Sequence, residues 1–293
     1  MKIQTKILFA FLLNVFFSIF EFVGGILTGS FTILSDSVHD LCDALTIGVS
    51  YLLERLAQKP ANNKYTYGYK RYSLLAAFLT NAVLFVRSTV IIIHAIKRLI
   101  NCSPVHYNGM LIIALVGFVI NLLAVKLTHG GQSMNQKAVN LHMLEDVLGW
   151  LIALIGAIIM KVFQISWLDP LLSIIVSVYI LVKVCMQLRK ILKIFMLAVP
   201  NRINVDKLKM QLILLPGIVN VHHLHIWSLD ENNILATVHI VAKKNKGLFN
   251  AVKNVFMKNG IDHVTISIEE NDCICKNEIC QLKTEDSQCA CKH

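Results

Sequence analysis

Apolar residues run in long blocks as far as about residue 199 and in short groups after it. Six blocks, roughly 7–27, 32–56, 74–96, 108–128, 140–162 and 168–188, each approach or exceed the about 20 residues that a helix needs to cross a bilayer. They predict six membrane-spanning helices. The first is read as a span rather than a signal peptide, because it is too long, lacks a small-residue cleavage site and leads into further spans. Beyond Pro200 the pattern changes. NVDKLKMQLILL (204–215) reads as a helix ended by Pro216-Gly217. IVNVHHLHIWSL (218–229) and ILATVHIVA (234–242) read as strands about the turn DENN. A second helix, LFNAVKNVFMKN, ends at Gly260, and VTISIE (264–269) is a last strand. The order α-β-β-α-β predicts a small two-layer α/β domain. The expected chain is therefore an α-helical transmembrane domain over 1–199, an α/β domain over 200–271 and a tail over 272–293.

Composition supports a membrane protein. Of 293 residues, 55% are hydrophobic and 16% charged, against about a quarter charged in soluble proteins. The net charge of +10 does not call for nucleic acid, because its placement reads as topology. Lys2, Lys6, Arg55, Lys59, Lys64, Lys70, Arg71, Lys126 and Lys137 fall on one side of the predicted spans, and only Lys97, Arg98 and Lys161 on the other. Cytoplasmic loops carry the excess of Lys and Arg, so both termini are expected in the cytoplasm of a cell (plasma or inner) membrane.

Ionisable residues interrupt two of the blocks. FTILSDSVHDLCDALTIGVS (31–50) contains Asp36, His39, Asp40 and Asp43. His39 and Asp43 are one helical turn apart on the same face, with Cβ atoms about 6 Å apart. The fifth block repeats the spacing with His142 and Asp146. Two imidazoles and two carboxylates from different helices form a four-donor set suited to tetrahedral Zn²⁺. A carboxylate near the bilayer centre costs roughly 2.5–3.5 kcal/mol, and a divalent ion between two of them cancels their charge. Ligands must be deprotonated to bind metal, and imidazole titrates near pH 6.5, so the same groups can serve metal and proton in turn.

The neighbours are expected to play lesser parts. Asp36 lines an access path or, preferably, caps its helix. Asp40 points away from His39 and Asp43, toward water or another span. Cys42 is close to the ligand face, where a thiolate favours softer ions such as Cd²⁺, but a small packing residue is the preferred reading. Glu145 is a candidate gate carboxylate or base, and Glu21 a cavity acid or interhelical partner. The tail concentrates Cys273, Cys275, Cys280, Cys289 and Cys291, which as cytoplasmic thiols are available for metal. Strand alternation places His223, His225 and Trp227 on one face and His222 on the other, with His225 a core or interface residue.

These motifs resemble the cation diffusion facilitator family of zinc transporters. The likeness runs through EFVGGILTGSFTILSDSVHDLCDA (21–44), YTYGYKRYSLLAAFLTN (65–81), Asn135 to Asp146, WLDPLLSI (167–174), VPNRINVDKL (199–208) and PGIVNVHHLHIW (216–227). The resemblance implies a homodimer of six-span protomers with cytoplasmic, metallochaperone-like (ferredoxin-like) domains. It implies exchange of cytosolic Zn²⁺ for external H⁺ by alternating access, with His39, Asp43, His142 and Asp146 as the zinc-preferring transport site. It places His222, His239 and Glu269 at a regulatory Zn²⁺ site; with Ser267 where relatives often have histidine, that site is either weaker or completed from elsewhere, by Cys273 and Cys275. His263 is offset by one position from a family histidine. Three departures stand out. The loop PANNKYTYGYKR has no histidine, so no metal is expected there. Ser73 stands where many relatives carry Glu, removing an ion pair near Arg71. Gly149-Trp150 is bulkier than the usual pattern.

The expected function is Zn²⁺/H⁺ antiport out of the cytosol, with Cd²⁺ and Co²⁺ as further candidate cargo, in a lipid membrane and without enzymatic activity. The alternatives are an intramembrane zinc hydrolase using Glu145 as base, for which no H-E-x-x-H motif is present, and a metal receptor that moves no ions.

Overall fold

The computed structural model describes residues 3–28, 31–100, 110–130, 133–163, 167–242 and 247–269. Six long helices form first: α1 (Ile3–Thr28), α2 (Phe31–Ala57), α3 (Arg71–Ile100), α4 (Met110–Thr128), α5 (Met134–Phe163) and α6 (Leu168–Phe195). Four of them, over Gln4–Leu27, Arg71–Ile100, Met134–Gly156 and Pro170–Phe195, are long and apolar enough to cross a membrane on length and hydropathy alone. α4 offers a shorter apolar stretch, Ala114–Thr128. The chain divides into two compact units between Leu192 and Lys193.

The first unit is apolar on the outside. Phe16, Leu45, Val86, Leu115 and Val182 are each more than half exposed, whereas Asn14, Ser18, Glu21, Asn81, Ser88, Asn121, Asn135 and His142 are buried. Water would not tolerate that arrangement as a soluble surface, but lipid favours it, since backbone polar groups are satisfied within each helix. The unit is that of a multi-pass membrane protein.

Small residues let the helices approach. A side chain at Gly25 of α1 would come within 2.9 Å of Leu34 of α2. At Gly117 of α4, a Cβ would lie 2.7 Å from the Phe17 ring and 2.8 Å from the Trp150 indole. This accounts for the bulk after Asp146: Trp150 fills the space that Gly117 leaves and meets Phe17 edge-on, with centroids 5.4 Å apart. α5 is buried on several sides. Val139 and Met143 pack with Ile7, Ala10, Ile47 and Ala124, while Leu141 joins Leu84, Ile180 and Val184.

The second unit contains α7 (Val205–Ile213), β1 (Ile218–Ser228), β2 (Ile234–Ala242), α8 (Leu248–Lys258) and β3 (His263–Glu269). Asn204 caps α7 by accepting from the Lys207 amide at 2.9 Å, as its type prefers. Gly217 and Gly260 follow the two helices with φ of +91° and +75°, the left-handed conformation that glycine adopts without strain. Asp230 Oδ1 accepts from the amides of Asn232 and Asn233, turning the chain between β1 and β2. β2 is central, antiparallel to β1 and parallel to β3. Leu208, Leu212, Val252 and Phe256 from the helices pack on Val221, Ile226, Ala236, Val238 and Ile240 from the sheet.

Phe256 is fully buried in this core. Phe256→Ala is expected to destabilise the unit by about 3–5 kcal/mol, read as lost amide-exchange protection across β1 to β3. A change below about 1 kcal/mol would mean that α8 does not anchor the sheet.

Candidate functional site

The membrane unit gathers its ionisable groups from α2, α3 and α5. Asp43, His142 and Asp146 each offer a ligand atom within 4.8 Å of the others, and all three are buried. Leu141 and Met143 lie in separate apolar clusters, so the backbone of His142 is held on both flanks. His142 Nε2 is 3.8 Å from Asp43 Oδ1 and 3.9 Å from Asp146 Oδ2. Those gaps are too long for hydrogen bonds, and neither ring nitrogen has such a partner. Donors about 2.0–2.1 Å from a tetrahedral ion lie roughly 3.3 Å from one another. Closing from within 4.8 Å to that spacing would bring the three around one divalent ion.

His39 is exposed and stands outside this trio. It does line a cavity of about 1060 Å³ with Asp43 and Asp146, together with Asp40, Cys42, Arg87 and Glu145. Asp40 meets Glu21 of α1, as expected for a side chain turned to another span, yet it also borders the cavity. Glu21 is fully buried, and its side-chain contact with Asp40 of α2 makes it an interhelical partner. The preferred reading of Asp36 is corrected. α2 begins at Phe31, so Asp36 sits in its second turn and is not its N-cap.

Arg87 is the residue that pattern reasoning missed. Its Nη1 pairs with Asp43 Oδ2, and its Nη2 lies 3.0 Å from Asp146 Oδ1. The carboxylate oxygens facing Arg87 are the ones turned away from His142. Beside it, Ser88 donates to Glu145 Oε1 at 2.7 Å, while Glu145 Oε2 is buried without a hydrogen-bond partner. The available signal was compositional: a lone arginine in the apolar run VLFVRSTVIII (83–93), and intramembrane charges are functional candidates by default.

Farther along α2 and α5, Glu54 Oε2 accepts from Ser73 at 2.7 Å and from Asn135 Nδ2 at 2.9 Å. Asn135 also accepts from the Ser50 hydroxyl at 2.5 Å. Ser73 thus contributes a neutral hydrogen bond joining α3 to α2.

A second cluster lies on β1, β2 and β3. Glu269 Oε1 is 2.5 Å from His239 Nδ1, and its Oε2 is 3.3 Å from His222 Nε2. His222 pairs with His239 across the sheet, and Val241 with Glu269, so the register delivers all three to one face. The expected alternation along β1 is corrected by a bulge. The pairs His222↔His239 and His225↔Thr237 leave two residues of β1 against one of β2, and His223 takes φ +49°. The parity resets, which puts His225 on the face of His222 and Ile226 in the core. His223 lies next to both partners, its ring centroid 5.1 Å from that of His222 and 5.3 Å from that of His239. His225 and His263 are exposed; exposure excludes the core for His225. Ser267 pairs with His239. Cys273, Cys275 and the 272–293 tail lie outside the described residues.

Residues 7–196 match the family described as the cation efflux transmembrane domain. A cadmium, cobalt and zinc/H(+)-K(+) antiporter of Bacillus subtilis is 33% identical over 96% of this chain and 94% of its own length. The metal cation efflux system protein CzcD of Cupriavidus metallidurans is 30% identical over 88% of this chain and 84% of its own. The zinc transporter ZitB of Escherichia coli is 31% identical over 92% and 88%. With a domain match across nearly all of the helical unit and relatives aligned along most of their lengths, the chain belongs to the cation efflux family, the cation diffusion facilitators.

Proposed function

We propose that this chain is a secondary-active Zn²⁺/H⁺ antiporter that exports Zn²⁺ from the cytosol, with Cd²⁺ and Co²⁺ as further cargo. The cargo site is built from His39, Asp43, His142 and Asp146. One observation carries the reading: Asp43, His142 and Asp146 converge from two helices, and the buried imidazole has no hydrogen-bond partner. A packing histidine would be expected to bond its ring nitrogens, whereas a cargo ligand keeps one free. The relatives' names agree, being those of an antiporter for cadmium, cobalt and zinc, a cation efflux protein and a zinc transporter. Hydrolase and receptor readings find no such support.

His39, one turn before Asp43 and on the wall of the same cavity, is the fourth donor and joins by turning inward. Ion arrival requires neutral imidazoles and ionised carboxylates, so protons leave as the ion binds and return as it departs. That reciprocity couples zinc export to proton entry. In this reading α1 to α6 are the six spans, both termini face the cytoplasm across a plasma or inner membrane, and the chain works as a homodimer. The metallochaperone-like domain over 200–271 supports dimerisation. His222, His239 and Glu269 hold regulatory Zn²⁺ there, with Cys273 and Cys275 of the tail as completing thiolates.

In proteoliposomes, wild type is expected to move Zn²⁺ with an opposite change of pH. Asp146→Asn and His142→Ala should each lower that flux by more than the about 10–100-fold that loss of an outer partner of a metal ligand costs. Undiminished flux in the double variant rejects the reading. For the second cluster, His239→Ala in the full chain is expected to lower bound Zn²⁺ by about one equivalent per chain, measured by equilibrium dialysis. Unchanged stoichiometry would leave the three residues a packing role only.

A further inference from the structure

Arg87 divides the two carboxylates between two duties. Each has one oxygen toward the guanidinium and the other toward His142: Asp43 offers Oδ2 to Arg87 and Oδ1 to the imidazole, and Asp146 offers Oδ1 and Oδ2 respectively. The arginine therefore does not occupy the atoms that would ligate cargo. It sits behind them as a fixed positive charge, its side chain 28% exposed on a cavity that also borders both aspartates. Arginine does not give up its proton in a protein, so this charge is present at every stage of a transport cycle.

From this geometry we infer that Arg87 is an affinity-setting residue of the cargo site: a built-in counter-cation that weakens ion binding and so speeds release. The inference rests on the reading of Asp43, His142 and Asp146 as cargo ligands. Without Arg87, a divalent ion would meet two uncompensated carboxylates in an apolar bundle, a combination that binds tightly and lets go slowly. With it, the +1 of Arg87 offsets half of the −2 of Asp43 and Asp146, so the group presents a net charge of about −1 to the ion, and at this range in a low dielectric such an offset acts strongly. Glu145 adjusts the balance in the opposite sense. It is anchored by Ser88, the residue after Arg87, its Oε2 is buried without a hydrogen-bond partner, and it lines the same cavity as Arg87, which leaves its negative charge available to offset the arginine. Arg87 thereby acts on affinity through the aspartates, as a positioning residue that touches no cargo.

The test is Zn²⁺ affinity by chelator competition. It uses full-length detergent-purified protein carrying His222→Ala and His239→Ala to silence the second cluster. Arg87→Gln is expected to tighten Kd by about tenfold or more, within the range typical of coupling between two bound groups. Arg87→Lys, which keeps the charge, should stay near the parent, and Glu145→Gln should weaken binding. In vesicles Arg87→Gln should lower KM and kcat together, as slowed release requires. A Kd that is unchanged or weaker in Arg87→Gln, while Asp146→Asn still weakens binding, overturns the inference and leaves the ligand assignment standing. If Asp146→Asn has no effect on Kd, the ligand assignment fails and the inference falls with it. Should Arg87→Gln not remain monodisperse, Glu145→Gln decides alone, and failure to weaken binding overturns the inference.

Discussion

Negative charge held inside an apolar bundle has to meet positive charge, and that requirement organises the membrane unit. Asp43, Glu145 and Asp146 are buried, and insertion of such groups is costly unless something compensates them. Arg87 meets two of them directly, so α3 is tied to both α2 and α5 at the level where His142 projects. A loosely held arginine would not serve, since an ion pair away from water repays its desolvation only when the geometry is good. Here the fork of the guanidinium spans the two carboxylates, one nitrogen to each.

The surroundings fix that geometry from two directions. Toward one end of α5, Asn135, Ser50, Glu54 and Ser73 form a hydrogen-bonded chain across α5, α2 and α3. On either side of His142, Met143 and Leu141 belong to different apolar clusters. A polar clamp next to an apolar one leaves the intervening side chains few ways to drift, and ligand constellations need a supporting shell of this kind. Gly117 contributes at a distance. By making room for Trp150, it lets α4 and α5 approach closely despite the bulk one turn beyond Asp146.

Much of this was legible in the sequence because helices convert spacing into position. Two H-x-x-x-D pairs announce two faces; the folded chain brings Asp43 to His142 and Asp146 and leaves His39 exposed on the cavity wall. The α/β elements were legible for similar reasons: Asn204, Gly217, Asp230 and Gly260 punctuate the chain where caps and turns require them. Arg87 was not, because it stands alone in its apolar run 83–93 with no patterned partner, and its contacts come from two other helices. The bulge in β1 was hidden for a different reason. Parity along a strand assumes one residue per step, and nothing in NVHHLHIW marks which residue is the extra one. The consequence is large, since the reset moves His225 to the face of His222. Ser73 shows a third limit. The loss of an acidic residue reads as a missing ion pair, whereas the folded chain uses the hydroxyl to bond Glu54.

The two His-carboxylate clusters differ in charge, and the difference bears on what each can do. Asp43 and Asp146 would neutralise a divalent ion by themselves, and Arg87 then leaves the complex one charge too positive unless Glu145 is ionised. If this cluster is the cargo site proposed above, such a charge balance suits a site that both takes and releases an ion. His222, His239 and Glu269 bring a single carboxylate, so a divalent ion there keeps a net positive charge until another anionic donor arrives. Glu269 is the last described residue of β3, and Cys273 follows it by four positions, a stretch that can reach at most about 14 Å. A thiolate from so near would supply the missing charge as well as the missing ligand, whereas a neutral histidine at position 267 would supply only the ligand. Serine at that position is therefore compatible with a metal site whose last donor is anionic and comes from the tail.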